Sequence, residues 1–413
     1  MLPNPDSSLI TLFFVLTYIG IALGEIPGLM IDRVGIAVLG ATAMVVFGGV
    51  SISKVHRAVD LPTLLLLYSL MIVSAQLRLG GFYTRTALRI AHLSKRPLHL
   101  LALIMAVSAL LSAVLANDII CLAFTPVLVY SLAETRINPV PFLLGLAAAS
   151  NIGSAATIIG NPQNMLIGQV GRLHFAKFAL WCTPPALVSL AGAYGIIALA
   201  FRRRMILTEP LPFAETQTRW PEFNAWQSAK GIFAVTVLVA LFFSSLPREL
   251  SAIAVAGILL LSRKLESREI MALVDWNLLV LFLSLFIVIH GITEAGLPTY
   301  LADELQRRGA DLRNPYLLSG VSTLLSNLVS NVPAVMLLIK FLDPHQPIQW
   351  YALAVSSTFA GNLITIGSIA NLIVFEQAKP FGVTITFREH AKIGVPVTLF
   401  SLLVLFLWLA VTT

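Results

Sequence analysis

The stretch Leu111–Gly168, LSAVLANDIICLAFTPVLVYSLAETRINPVPFLLGLAAASNIGSAATIIGNPQNMLIG, is apolar enough to lie in a bilayer. It is nonetheless interrupted by Asn117, Asp118, Asn151, Asn161, Gln163 and Asn164. Hydrocarbon tolerates such groups only where protein buries them or a watery cavity receives them. An ionised carboxylate at a helix centre costs about 2.5 to 3.5 kcal/mol on insertion scales. The interruptions therefore mark a site. The pattern returns about 214 residues later, as LSNLVSNVPAVMLLIKFL (Leu325–Leu342) and AGNLITIGSIANLIVFEQA (Ala360–Ala378). The two versions pair Asn117 with Asn331, Asn151 with Asn362 and, after a gap of four, Ile159-Gly160 with Ile366-Gly367.

A chain that is 57% hydrophobic and 11% charged has too few charges to cover a water-exposed surface, so it reads as a polytopic membrane protein. The net charge of +7 suits basic cytoplasmic loops and gives no reason to expect nucleic acid. Two cysteines, Cys121 and Cys182, both in apolar spans, cannot form a thiolate metal site. No Walker A loop, HExxH or GxSxG occurs, so an enzyme is not expected. The first span lacks the basic cluster and cleavage motif of a signal peptide and reads as a retained helix.

Runs long enough to cross about 30 Å of hydrocarbon fall near residues 8 to 24, 34 to 52, 61 to 77, 178 to 200, 231 to 247, 249 to 263, 277 to 293 and 392 to 412. The stretches 98 to 132 and 316 to 342 are too long for one crossing and have a polar break near the middle, as re-entrant hairpins would. Those at 140 to 167 and 350 to 375 are crossings broken by Gly, Asn, Ser and Thr. VDLPTLLLLYSLMIV from Val59 and VDWNLLVLFLSLFIV from Val274 match at an offset of 215, with Ser69 opposite Ser284 and Gly81 opposite Gly296. An amphipathic interfacial stretch follows each. The chain thus divides into a first repeat (1 to 200), a cytoplasmic linker (201 to 230) and a second repeat (231 to 413). Glu25 and Glu376, at the ends of spans, read as interfacial.

Lys and Arg counts choose the topology. With re-entrant hairpins the two sides carry 18 and 9 basic residues, against 15 and 12 if each hairpin stretch crossed once. The more polarised arrangement puts both termini outside and five crossings in each repeat. Five is odd, so the second repeat is inverted. The predicted fold is an all-α polytopic membrane protein of two inverted repeats with re-entrant hairpins and broken helices, the architecture of alternating-access secondary transporters.

Hairpin tips and broken helices expose unpaired backbone groups and helix ends that attract ions and oxygen-rich solutes. Asn117, Asn151, Asn164, Asn331, Asn362 and Asn371 can each donate and accept, which suits such a solute. The same residue type also caps helix fragments. Asp118 faces Val332 in the second copy, so the scaffold does not demand it; it is the candidate for proton coupling, or else an N-cap for a helix beginning at Ile119. His290 is a second candidate proton carrier, or a hydrogen-bonded packing residue.

At SNIGSAATIIGNPQNMLIG, SNLVSNVPAVMLL and GNLITIGSIANLIV the chain resembles the ion transporter superfamily, in the branch holding the ArsB arsenite permeases, NhaD sodium/proton antiporters and divalent anion/sodium symporters. The resemblance implies hairpin tips at Asn117 and Asn331. It implies solute-binding unwound loops at Asn151 with Gly160, Asn161 and Asn164, and at Asn362 with Gly367, Ser368 and Asn371. The symporters carry a Ser-Asn-Thr triplet at both tips; here the tips read Ala116-Asn117-Asp118 and Ser330-Asn331-Val332, closer to the arsenite permease and antiporter side.

The expected function is proton-coupled efflux of arsenite or antimonite across the cell membrane. Near neutral pH these are uncharged trihydroxy molecules, and the core spans around the site contain no Lys or Arg to clamp an anion. The alternatives are a sodium-coupled importer of inorganic anions or dicarboxylates and a sodium/proton antiporter. No cofactor is expected beyond the proton or sodium gradient, and no metal. The partners are a small inorganic solute and membrane lipid. The resemblance leaves room for a homodimer and for a cytoplasmic ATPase docked on the 201 to 230 linker through Arg202–Arg204, three arginines that more often serve as plain positive-inside anchors.

Overall fold

The computed structural model describes residues 5–24, 28–47, 50–93, 96–206 and 222–413. Glu25 and the middle of the linker, 207 to 221, lie outside the described residues. The described residues form helices joined by short loops, with no strand among them.

Helices of five residues or fewer aside, the described residues of each repeat form nine helices. The first holds α1 (Pro5–Leu23), α2 (Arg33–Val46), α3 (Leu61–Leu79), α4 (Phe82–Leu93), α5 (Pro97–Val114), α6 (Asn117–Glu134), α7 (Val140–Ser154), α8 (Pro162–Val170) and α9 (Phe175–Phe201). The second holds α10 (Ala225–Phe242), α11 (Arg248–Leu260), α12 (Trp276–Glu294), α13 (Leu297–Arg307), α14 (Pro315–Val329), α15 (Asn331–Leu338), α16 (Pro347–Ala360), α17 (Ile369–Ala378) and α18 (Phe387–Thr412). Each helix has its counterpart nine places later.

The recurring Val-Asp pair has a local cause. Asp60 Oδ1 accepts from the Thr63 amide at 2.9 Å and Asp275 Oδ1 from the Leu278 amide at 3.0 Å, capping α3 and α12 alike. α4 buries Tyr83, Thr84, Ala87 and Ile90, one face at helical spacing, while its mate α13 carries Glu304 paired with Arg307 and Arg308 at 2.8 and 2.7 Å. The long closing helices α9 and α18 pack together. On its outer side α18 presents Leu399, Leu403, Leu407 and Val411, a stripe of exposed leucine and valine at four-residue spacing that suits acyl chains and not water.

The repeats interlock. α2 packs on α12 and α11 on α3, so each repeat lends its second helix to the other's third. The hairpin arm α6 packs on α17 and the arm α15 on α8, so each hairpin leans on the opposite repeat's broken helix. Buried Tyr18 of α1 donates to the Pro333 carbonyl of α15 at 3.0 Å.

Hydrogen bonds place both ends of the first hairpin at the linker. Asn138, after α6, donates to the Arg204 and Met205 carbonyls at 2.9 Å each. Gly80, just before the helix α4 that leads into the hairpin, accepts from the Asn224 amide at 3.0 Å and from Ser228 Oγ at 2.8 Å, and α4 packs on the return arm α6. The first hairpin therefore leaves and returns on one side. In the second repeat, α13 before the hairpin packs on the short turn Ile339–Phe341 that ends it, so that hairpin returns as well.

Candidate functional site

Both broken helices are held open by an asparagine placed identically after the break. Asn164 Nδ2 donates to the carbonyls of Ser154 and Thr157 at 3.2 and 3.1 Å. Asn371 Nδ2 donates to those of Gly361 and Ile364 at 2.7 and 3.4 Å. Each reaches back ten and seven residues, to carbonyls that lost their helical partners at the break. The second fragments are capped alike: Asn161 Oδ1 accepts from the Asn164 amide at 2.9 Å, and Ser368 Oγ from the Ala370 amide at 3.2 Å.

These matches set the register of the two broken helices at 207 throughout. Asn164 corresponds to Asn371, Asn161 to Ser368, Gly160 to Gly367, and Asn151 to Thr358. The pairing of Asn151 with Asn362 through a gap of four is thereby corrected. Four residues are about one helical turn, some 6 Å; a gap would set one break a turn away from its mate, and the counterpart of Asn362 is Ala155.

Asn151 and Asn362 meet across the repeats instead. Asn151 Nδ2 donates to Asn362 Oδ1 at 2.9 Å and to Asn371 Oδ1 at 3.3 Å, while Asn151 Oδ1 accepts from Ser368 Oγ at 2.9 Å and from Asn117 Nδ2 at 3.5 Å. The mirror contact is Asn161 Nδ2 to Thr358 Oγ1 at 3.1 Å. Each cap residue thus bonds the register partner of the other's target. The cluster is buried: Asn151 and Asn362 are 2% exposed, Asn164 and Asn371 0%. Most of its polar atoms satisfy one another, yet Asn117 Oδ1, Asn164 Oδ1 and Asn362 Nδ2 have no partner. Two acceptors and a donor remain for a solute.

The two hairpin tips differ. The first turns through Leu115 and Ala116 in extended backbone, and the Asn117 carbonyl accepts from Ser150 Oγ at 3.1 Å. The second turns at Ser330, whose φ of 75° is a conformation side chains resist, at a cost of about 1–3 kcal/mol. Asn331, first in α15, is half-buried with Oδ1 unpaired, and among the described residues no hydrogen bond joins it to the amide cluster.

Asp118 lies in the first turn of α6, caps nothing, and lines a cavity of about 220 Å³ beside the amide cluster, with Leu70, Met71, Pro162, Asp275 and Arg78. Arg78, in the last turn of α3, corrects the expectation of a site without basic side chains. It ends an otherwise apolar helix, where sequence reads it as a boundary charge; only packing brings it under the hairpin tip. His290 lines a different cavity, with Nε2 buried and unpartnered.

Sequence reasoning missed Ser154, Thr358 and Asn327 as well as Arg78 and Asp275. Asn327 donates to the Ala360 carbonyl at 3.0 Å, linking α14 to the second break. Its inclusion in the repeated LSNLVSN stretch was the available signal. The described residues hold no cluster of His, Cys, Asp and Glu fit for a metal ion.

Residues 14–355 match the model of a family described as citrate transporter. A 46 kDa membrane protein of Mycobacterium leprae is 30% identical over 96% of this chain and 97% of its own. The silicon efflux transporter LSI3 of Oryza sativa is 29% identical over 91% of this chain and 92% of its own. Among solved structures, the YdaH transporter of Alcanivorax borkumensis superposes with a TM-score of 0.59 at 14% identity, covering 99% of both chains, a likeness of fold. The chain is an integral membrane secondary transporter and belongs to the citrate transporter family, within the ion transporter superfamily.

Proposed function

We propose that the protein exports arsenite or antimonite across the cell membrane in exchange for protons, with both termini outside and the linker in the cytoplasm. The observation that carries this reading is the juxtaposition of an uncharged, self-bonded amide cluster with the cavity-facing carboxylate of Asp118, one residue from Asn117. Asn and Ser groups that donate and accept suit an uncharged trihydroxy molecule, whose hydroxyls do the same. A relative exports silicon, which dissolves near neutral pH as an uncharged tetrahydroxy acid of the same hydrogen-bonding character.

In this reading the inter-repeat bonds of Asn151 close the site, and a solute that reproduces them lets the repeats separate. Asp118 loads a proton when its cavity faces the proton-rich side and releases it on the other. The site opens to one face at a time, so the two fluxes are coupled.

Everted vesicles test the reading. Acidifying their interior drives labelled arsenite in. Asp118→Asn abolishes that uptake while leaving arsenite exchange at equilibrium intact. Wild-type uptake by Asp118→Asn removes the coupling role.

A second reading, sodium-coupled import of a carboxylate or another anion, is favoured by Arg78 in the same cavity, since an anion seeks such a partner. Sodium-dependent citrate uptake by right-side-out vesicles, with no arsenite flux, would replace the first reading. Sodium/proton exchange with neither solute present would favour the antiporter.

A further inference from the structure

The Asp118 cavity has a mate. On the side away from the linker, where α3 starts and α12 ends, a cavity of about 210 Å³ is lined by Arg57, Asp60, Phe286, His290, Met336 and Lys340 among others. Asp60 corresponds to Asp275 and Phe286 to Met71 at the offset of 215, and Met336 to Leu122 at 214; the mates line the Asp118 cavity.

The two cavities share a place in the repeat and differ in charge. The linker-side cavity sets Asp118 and Asp275 against Arg78. Its mate sets Arg57 and Lys340 against Asp60, one of whose oxygens is committed to the Thr63 amide. Neither Arg57 nor Lys340 has an ion pair among the described residues, whereas the neighbouring Lys54 and Glu294 neutralise each other at 3.1 Å. His290 adds a ring nitrogen, Nε2, that is buried without a partner. Basic residues are sparse on this side, 9 of 27 by the counts above. Membrane anchoring on the cytoplasmic side therefore does not account for two unpaired ones meeting at one cavity.

We propose that this cavity binds a small oxyanion of two or more charges, with Arg57 and Lys340 as charge partners and the His290 Nε2–H as donor. It is a second site, apart from the amide cluster. A volume of roughly seven waters' share of the liquid admits sulfate and, near the upper limit, citrate. The anion is held at the mouth on the linker-distal face, next to the second hairpin arm α15 that carries Met336.

The test is calorimetric titration of the purified full-length protein in detergent, at constant ionic strength. Sulfate and citrate are the probes and gluconate the monovalent control. No gradient and no arsenite are present, and dependence of binding on Arg57 and Lys340, which line this cavity and not that of Arg78, separates the outcome from both transport readings. Saturable binding of sulfate or citrate is expected, and which one binds distinguishes an inorganic from a carboxylate ligand. Arg57→Gln and Lys340→Gln each weaken it about tenfold, as loss of one charged hydrogen bond does. Lys264→Gln, an exposed cation outside both cavities, does not. His290→Ala weakens binding and His290→Gln, which keeps a donor, restores part of it. Arg57 and Lys340 are exposed, so their variants remain folded, which size-exclusion chromatography verifies. Absence of saturable binding by either probe, or equal affinity in Arg57→Gln, Lys340→Gln and wild type, overturns the proposal.

Discussion

Asn151 of the first repeat donates its side-chain amide to Asn362 of the second at 2.9 Å, joining two broken helices that lie 211 residues apart in the chain. Through the same side chain pass bonds to Asn371, Ser368 and Asn117, so one amide connects both breaks and a hairpin tip. Any motion that separates the repeats must break the bonds to Asn362, Asn371 and Ser368, and a solute that offers hydroxyl groups can replace them.

Asn151→Ala removes that junction and leaves buried partners unpaired, at about 1–3 kcal/mol for each group stranded. The thermal midpoint in detergent should fall and solute flux should vanish. Asn151→Asp keeps the acceptor for Ser368 but sets a buried carboxylate against the Oδ1 atoms of Asn362 and Asn371, so its midpoint should fall at least as far. A midpoint for Asn151→Ala equal to wild type would deny the cluster its structural weight.

The two clamp asparagines should behave as a pair. Asn164→Ala and Asn371→Ala each remove two bonds to carbonyls at a break, and each is expected to cost about 1–3 kcal/mol. Thermal unfolding should show similar losses for both. A large effect from one and none from the other would contradict their equivalence.

Gly160 has no room for a side chain. A Cβ there would strike the Ser154 backbone, which cannot shift without moving the break. Gly160→Ala should destabilise by about 1–3 kcal/mol and abolish transport. Gly257→Ala is the control: nothing lies within 4 Å of its Cβ position, and a helical alanine there should leave stability equal or about 0.5–1 kcal/mol higher.

Arg78 separates the two solute readings. Arg78→Gln should leave arsenite efflux within about threefold of wild type, because a neutral solute gains little from a cation. If the transported solute is an anion, the same substitution raises its KM by about tenfold or more. Uptake measured across a range of solute concentrations distinguishes the two.

Much of the fold was legible in the chain, because hydrocarbon allows few solutions. Spans had to be apolar and about 20 residues long, so the Asn-rich interruptions at 117, 151 and 331 stood out, and their recurrence with the Val-Asp pair exposed the duplication. The register of the breaks was not legible. SNIG and AGNL look alike, and matching Asn151 to Asn362 on that likeness required a gap that the matched bonds of Asn164 and Asn371 forbid. Asp118 stood out as an unmatched carboxylate, but its neighbours Arg78 and Asp275 sit at helix boundaries, where charges are ordinary.

By itself the sequence determined a duplicated, membrane-embedded chain with interrupted helices, since apolar length and the cost of burying amides are written residue by residue. Only the tertiary structure decided that Asn151 bonds Asn362, that Asp118 shares a cavity with Arg78, and that His290 belongs to another cavity with Arg57 and Lys340. Those groups meet through the interlocking of two repeats more than 200 residues apart, and helical periodicity carries no information about which face of one repeat the other will cover.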